Sequence, residues 1–242
     1  MKSVSTAIIL ALLLIASPAF AASCPKEPYV HFPQAGRPVN LGELKLQLLD
    51  YKCFGGYDRD VDNALAQARV YVETRPGVVN NPAIVLDIDE TSLSNWDEIL
   101  ADDFGFIAEG ECKNLPKGPC GEHAWELLAE AAVIKPTLEL FKAAVAKKIA
   151  VFFITGRNGD AATQAATEKN LHDAGYQGWS GLIMRPDGSS TPSAADFKTP
   201  ERAKLVAKGF TIIANVGDQQ SDLDGGYAER TFRVPNPFYY IP

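Results

Sequence analysis

The chain has 242 residues, 46% hydrophobic and 22% charged, with 19 Gly, 16 Pro and 4 Cys. These proportions exclude a disordered, collagen-like or coiled-coil chain, and the length suits one generous domain or a domain carrying an insert. A formal net charge of −7 without a Lys/Arg block excludes nucleic acid as a partner on bulk electrostatics.

Residues 1–21 read as a signal peptide: Lys2 supplies a positive start, Ala7–Ile15 is apolar, and Ala19-Phe20-Ala21 is a small-x-small cleavage site. No segment is long enough for a transmembrane helix. The expected location is therefore periplasmic or extracellular, where disulfides form. Of the four cysteines, Cys112 and Cys120 are close enough in sequence to staple a Gly/Pro loop, which leaves Cys24 with Cys53. Lipid attachment at Cys24 is the competing reading, weakened because Ala21 stands where a lipobox has Leu.

Helical spacing of apolar residues predicts helices over Leu41–Leu49 and Asp60–Glu73, the second with Val61, Leu65, Ala68 and Val72 on one face. Ala83–Ile88 is a β-prone run that stops in acid at Asp87-Ile88-Asp89-Glu90-Thr91. Residues 92–135 are aromatic, acidic and loop-rich, and are expected as a small mixed cap insert. Helices at Thr137–Lys147, Asp160–Ala174 and Thr199–Lys208 then alternate with strands at Ile149–Thr155, Leu182–Met184 and Thr211–Val216. This order predicts an α/β fold, a Rossmann-like doubly wound parallel sheet with a helical N-terminal extension, in one domain over residues 22–242.

In such sheets ligands bind at the carboxyl ends of the strands. Those ends carry Asp87 and Asp89, then Thr155 and Gly156, then Asp218 and Asp222. A carboxylate can attack phosphorus and divide ester hydrolysis into two easier steps, and a hard cation such as Mg²⁺ lets the two anions meet. Lys198 is a cation at an expected helix start, where the dipole favours anions over lysine.

Asp87-Ile88-Asp89-Glu90-Thr91, Ile154-Thr155-Gly156-Arg157, Lys198 and Gly217-Asp218-Gln219-Gln220-Ser221-Asp222 together resemble the four motifs of the haloacid dehalogenase superfamily. Ser92-Leu93-Ser94-Asn95, Asn170-Leu171, Ala174-Gly175-Tyr176, Gly178-Trp179 and the ending Pro235–Pro242 narrow the resemblance to its class B (subfamily IIIB) acid phosphatases, which include plant vegetative storage proteins and exported bacterial phosphatases. The resemblance implies Asp87 as nucleophile and Asp89 as general acid/base. It also implies Thr155, Gly156 and Lys198 on the phosphoryl group, and Mg²⁺ on Asp87, Asp218 and the main chain of Asp89. Asp222 would act one step removed from the metal. The implied activity is a secreted acid phosphatase acting on small phosphate monoesters, nucleotide or aryl, with a homodimer allowed; the alternative is a storage or binding protein on the same fold. Trp96, Phe104, Phe106 and Trp125 are the aromatic residues available for stacking a substrate. His31, His123 and His172 show no pairing with a nucleophile.

Overall fold

The computed structural model describes residues 24–29, 39–75, 77, 79–189 and 193–241. The expected signal peptide and His31 lie outside the described residues.

Two helices open the fold, α1 (Leu41–Cys53) and α2 (Gly56–Thr74), with Gly55 in the left-handed conformation (φ +76°) between them. Asn40 caps α1 by accepting from the backbone of Gly42 and Glu43. The expected face of α2, Val61, Leu65, Ala68 and Val72, is buried together with Tyr57.

The central sheet contains β1 (Pro82–Leu86), β4 (Ala150–Asn158), β5 (Gly181–Arg185), β6 (Thr211–Gly217) and β7 (Ala228–Arg233) in the order β5-β4-β1-β6-β7, and every pairing is parallel. Between β1 and β4 the chain forms β2 (Leu93–Ser94), α3 (Trp96–Ala101), α4 (Glu122–Leu128), β3 (Ala132–Val133) and α5 (Lys135–Ala146). The antiparallel pair β2–β3 closes the neck of this insert. The remaining helices are α6 (Ala161–Asp173), α7 (Ala194–Ala207) and α8 (Gln220–Leu223).

Strand residues alternate between two cores, as a sheet covered on both faces requires. Ile84, Leu86, Val151, Phe153 and Ile213 pack under α2, α5 and α6. Ala83, Val85, Phe152, Ile154 and Ile212 pack against Phe197 and Leu205 of α7. No described helix is long and apolar enough to cross a membrane. The two disulfides are Cys24–Cys53 and Cys112–Cys120, so the Cys24 thiol assigned to lipid in the competing reading is bonded to Cys53.

Three features differ from expectation. Helix α7 begins at Ala194, capped by Ser193 Oγ on the Asp196 amide (3.1 Å), so Lys198 lies inside the helix rather than before it. Pro200 sits in the interior of this helix, between the buried Phe197 and Leu205, and not in the first turn that the expected start at Thr199 would give it. Strand β7, whose pattern Ala228–Arg233 is mostly polar, was not legible because only Phe232 of its six residues is buried.

Candidate active site

β1 is the topological switch point: β4 and β5 lie on one side of it, β6 and β7 on the other. Leu86 pairs with Phe153 in β4 and Val216 in β6. That register brings Asp87, Thr155 and Asp218 to the same edge of the sheet. Asp87 is fixed on both sides by its backbone, donating its amide to Val216 O (2.9 Å) and accepting Ser92 Oγ at its carbonyl (2.6 Å).

After β1 the chain turns sharply. The Ile88 carbonyl accepts the amides of Thr91, Ser92 and Leu93, and Glu90 adopts φ +50°. A left-handed Glu costs energy, and its side chain holds the turn in place. Its carboxylate accepts from Asn95 N (2.6 Å), Asn95 Nδ2 (3.1 Å) and Tyr239 OH (2.8 Å).

Lys198 crosses from α7 and bridges two acids, with Nζ 2.5 Å from Asp87 Oδ1 and 2.6 Å from Asp222 Oδ1. Burial opposes its charge, but Asp87 and Asp222 outweigh burial and hold the ammonium above the ordinary lysine range. Asp222 is seated closely. Its Oδ2 accepts the Gln219 amide (2.9 Å), its carbonyl accepts Arg202 Nη1 (2.7 Å) and Asn215 Nδ2 (2.9 Å), and a Cβ on Gly217 would stand 2.4 Å from its own Cβ. Only glycine fits at 217 in this arrangement. Asp218 accepts from Thr91 Oγ1 (3.2 Å), Gln219 Nε2 (2.6 Å) and Asn236 Nδ2 (2.7 Å).

One carboxylate oxygen from each of Asp87, Asp218 and Asp222 lies within 4.8 Å of the other two. Burial pushes Asp87 well above the usual carboxylate range, with Lys198 opposing and Asp222 and Asp218 reinforcing the rise. Burial and then Asp222 push Asp218 up to about 7. Three buried carboxylates facing one ammonium leave a surplus of negative charge, and their hard oxygens suit a divalent cation. Asp222 thus lies in one carboxylate cluster with Asp87 and Asp218.

Asp89 turns away from this triad. Its Oδ1 is 2.6 Å from Arg157 Nη2 and 2.9 Å from Asn95 Nδ2. Burial raises its pKa, but the Arg157 charge and hydrogen bonds outweigh burial and hold it below the usual range. Thr155 is wholly buried, its Oγ1 accepting the Arg157 amide (3.2 Å), while Gly156 borders the cleft and has open space where a Cβ would stand.

The cleft above the strand ends measures about 1070 Å³ and runs from Asp87 and Lys198 to the insert. Phe104, Phe106 and Trp125 line it. Trp96 does not: it packs on Phe104 and Phe238 (ring centroids 6.1 and 5.2 Å), so the stacking role expected of it is corrected to core packing. Trp125 is 3% exposed and spends its indole N–H on Asn95 Oδ1 (2.9 Å). His123 borders the cleft with Nδ1 4.0 Å from Glu126 Oε2, and His172 packs on Trp179 at the surface.

The sequence reading did not single out Asn95, Gln219 and Asn236, which orient the acids, or the insert carboxylates Glu98, Glu122 and Glu126. Asn236 lay within a segment that matched the family, but its spacing from Asp218 carries no pattern.

The profile of the HAD superfamily, subfamily IIIB (acid phosphatase), matches residues 37–242. The chain belongs to this family. It is 42% identical over 120 residues to the stem 28 kDa glycoprotein of Glycine max, covering 48% of this chain and 46% of that one. It is 29% identical over 194 residues to acid phosphatase 1 of Solanum lycopersicum, covering 79% and 72%. It is also 42% identical over 76 residues to vegetative storage protein 2 of Arabidopsis thaliana, covering 31% and 28%. The chain thus spans about half or less of two of the soybean stem glycoproteins that it matches, 46% of one and 39% of another. The class C acid phosphatase of Bacillus anthracis shares the fold, with a TM-score of 0.64 at 22% identity over 84% of this chain and 87% of that one.

Proposed function

We propose that the protein is an exported, Mg²⁺-dependent acid phosphatase that hydrolyses small phosphate monoesters through an aspartyl-phosphate on Asp87. The observation that carries this reading is the bridge from Lys198 to Asp87 and Asp222, with Asp218 in the same buried cluster at the switch point of the sheet. Family membership supports the reaction class, and both disulfides support export.

In this mechanism Thr155, Gly156 and Lys198 hold the phosphoryl oxygens. Asp87 attacks phosphorus, so that the bond from phosphorus to its carboxylate forms as the ester bond breaks. Asp89 gives its proton to the departing oxygen. Asp89 then takes a proton from water, whose oxygen attacks the same phosphorus, breaking the bond to Asp87 and releasing inorganic phosphate. Asp87, Asp218 and Asp222, with the main chain of Asp89, would hold Mg²⁺, which when bound offsets the negative charge that the carboxylates and phosphate share.

The test is phosphate release from p-nitrophenyl phosphate with Mg²⁺ and with a chelator. Activity that requires Mg²⁺ supports the reading. A protein that binds Mg²⁺ and turns over no ester would instead support a storage role, the reading that its likeness to the vegetative storage proteins favours.

A further inference from the structure

The insert end of the cleft is acidic in a way that the phosphatase mechanism does not use. Glu98 on α3 is 7% exposed and borders the cleft, and no described donor lies within hydrogen-bond reach of its carboxylate. The charged groups that act on it most strongly, Glu122, Asp102, Asp89 and Glu126, are acids. Glu122 and Glu126 project from the first and second turns of α4 and line the same space. Arg157 is committed elsewhere: it bonds Asp89 and Thr167 Oγ1 (3.3 Å) and reaches Glu126 Oε1 only at 3.7 Å.

We infer that this end of the cleft is a subsite for an organic cation, and that the substrates are phosphate monoesters whose alcohol carries an ammonium or quaternary ammonium group. This deepens the phosphatase reading above and rests on it for the phosphate half of the ligand.

The geometry favours an organic cation over a metal ion. Among the described residues only Asp87, Asp218 and Asp222 gather His, Cys, Asp or Glu ligand atoms within 4.8 Å of one another. The insert acids are spread more widely, around a volume that suits a group with its own carbon body. Glu126 and Asp89 both face Nε of Arg157, at 3.7 Å and at 3.1 and 3.2 Å. A short carbon chain therefore links a leaving oxygen beside Asp89 to a cation beside Glu126. Phe106 and Tyr240, each 73% exposed, line the same cleft and offer ring faces to a methylated ammonium. Burial, reinforced by the neighbouring acids, pushes Glu98 up to about 8; at Glu126 the Arg157 charge opposes burial without overcoming it, and the group also rises to about 8.

The experiment compares phosphocholine with its neutral isostere, 3,3-dimethylbutyl phosphate. Titration calorimetry on the Asp87→Asn variant with Mg²⁺ near neutral pH gives both dissociation constants without turnover. Phosphocholine should bind at least about tenfold more tightly. Glu98→Gln and Glu126→Gln should each bring the ratio towards one, a readout internal to each variant and so independent of its folded fraction. Equal affinities, no detectable binding of either ester, or a ratio that neither substitution reduces overturns the subsite. Wild-type turnover separates the two claims. A protein that hydrolyses both esters with equal kcat/KM keeps the phosphatase reading and loses the subsite. One that hydrolyses neither, yet keeps the affinity difference, loses the phosphatase reading and keeps the subsite.

Discussion

Arg157 Nη2 lies 2.6 Å from Asp89 Oδ1, and its Nε touches both oxygens of the same carboxylate, so the proposed proton donor rests in a part-buried ion pair. The acid that must carry a proton for leaving-group departure is thereby held in its charged form. Low pH is needed to load it, which gives a physical origin for an acidic optimum. Removing the guanidinium takes away the attraction for the charged form, raises the Asp89 pKa, and lets the protonated form persist to higher pH. Arg157→Gln should move the alkaline limb of the kcat profile upward by about one pH unit, while Arg157→Lys retains most of the wild-type position. An unmoved limb, or one displaced to lower pH, contradicts the pairing.

The insert acids predict how stability depends on pH. Glu98 and Glu126 rise from an ordinary 4.5 to about 8, chiefly through burial. Between those values the folded state binds more protons than the unfolded chain, so their contribution is complete below pH 4.5 and lost as pH rises towards 8. Asp89 and Asp160, both lowered, act only at the acid end, where their contribution is lost as pH falls below their ordinary 3.8. Thermal midpoints measured in chelator should fall from pH 5 to pH 8, and Glu98→Gln should flatten that slope. A midpoint that climbs across this range would falsify the assignment.

Two glycines at strand ends should respond oppositely. A Cβ on Gly217 would meet Asp222 Cβ at 2.4 Å and Oδ2 at 2.6 Å, so Gly217→Ala must displace the acid that Lys198 and Gln219 hold. A loss of about 1–3 kcal/mol by chemical denaturation is expected, together with lost phosphatase activity. A Cβ on Gly156 meets nothing within 4 Å and projects into open space beside the cleft. Gly156→Ala should leave stability within about 0.5 kcal/mol and lower activity by obstructing the phosphoryl site.

Mg²⁺ should stabilise the folded chain by mass action, by about 2.7 kcal/mol at a hundred times its dissociation constant. Asp218→Asn removes one member of the carboxylate triad and should abolish most of that gain while leaving the cation-free protein folded. A full Mg²⁺ shift in Asp218→Asn would place the ion elsewhere.

Much of the fold was legible because buried parallel strands and helical faces leave strong periodic patterns. Ala83–Leu86, Val151–Ile154 and the Val61-Leu65-Ala68-Val72 stripe are buried as their spacing implies. β7 is not legible because an edge strand that buries one residue in six has almost no pattern, and α7 starts at Ala194, five residues before the expected Thr199. The acids at the strand ends were conspicuous because Asp is unfavourable where an apolar strand terminates. Their orienting partners were not. Asn236 reaches Asp218 across 18 residues and Trp125 reaches Asn95 across 30, distances at which local sequence carries no register. The aromatic character of the insert suggests stacking, whereas Trp96 and Trp125 are held in packing, and burial of Glu98 without a basic partner has no local sequence signal.

Trapping the proposed intermediate tests the central claim most directly. The wild-type protein, quenched during turnover of p-nitrophenyl phosphate with Mg²⁺ and treated with borohydride, should yield homoserine at position 87 by peptide mass spectrometry, because the hydride reduces an aspartyl-phosphate but not a free carboxylate. Asp87→Asn should give no homoserine and lose activity by at least about 10³-fold. Homoserine at another acid, or an Asp87→Asn variant that hydrolyses the ester at the wild-type rate, would contradict it.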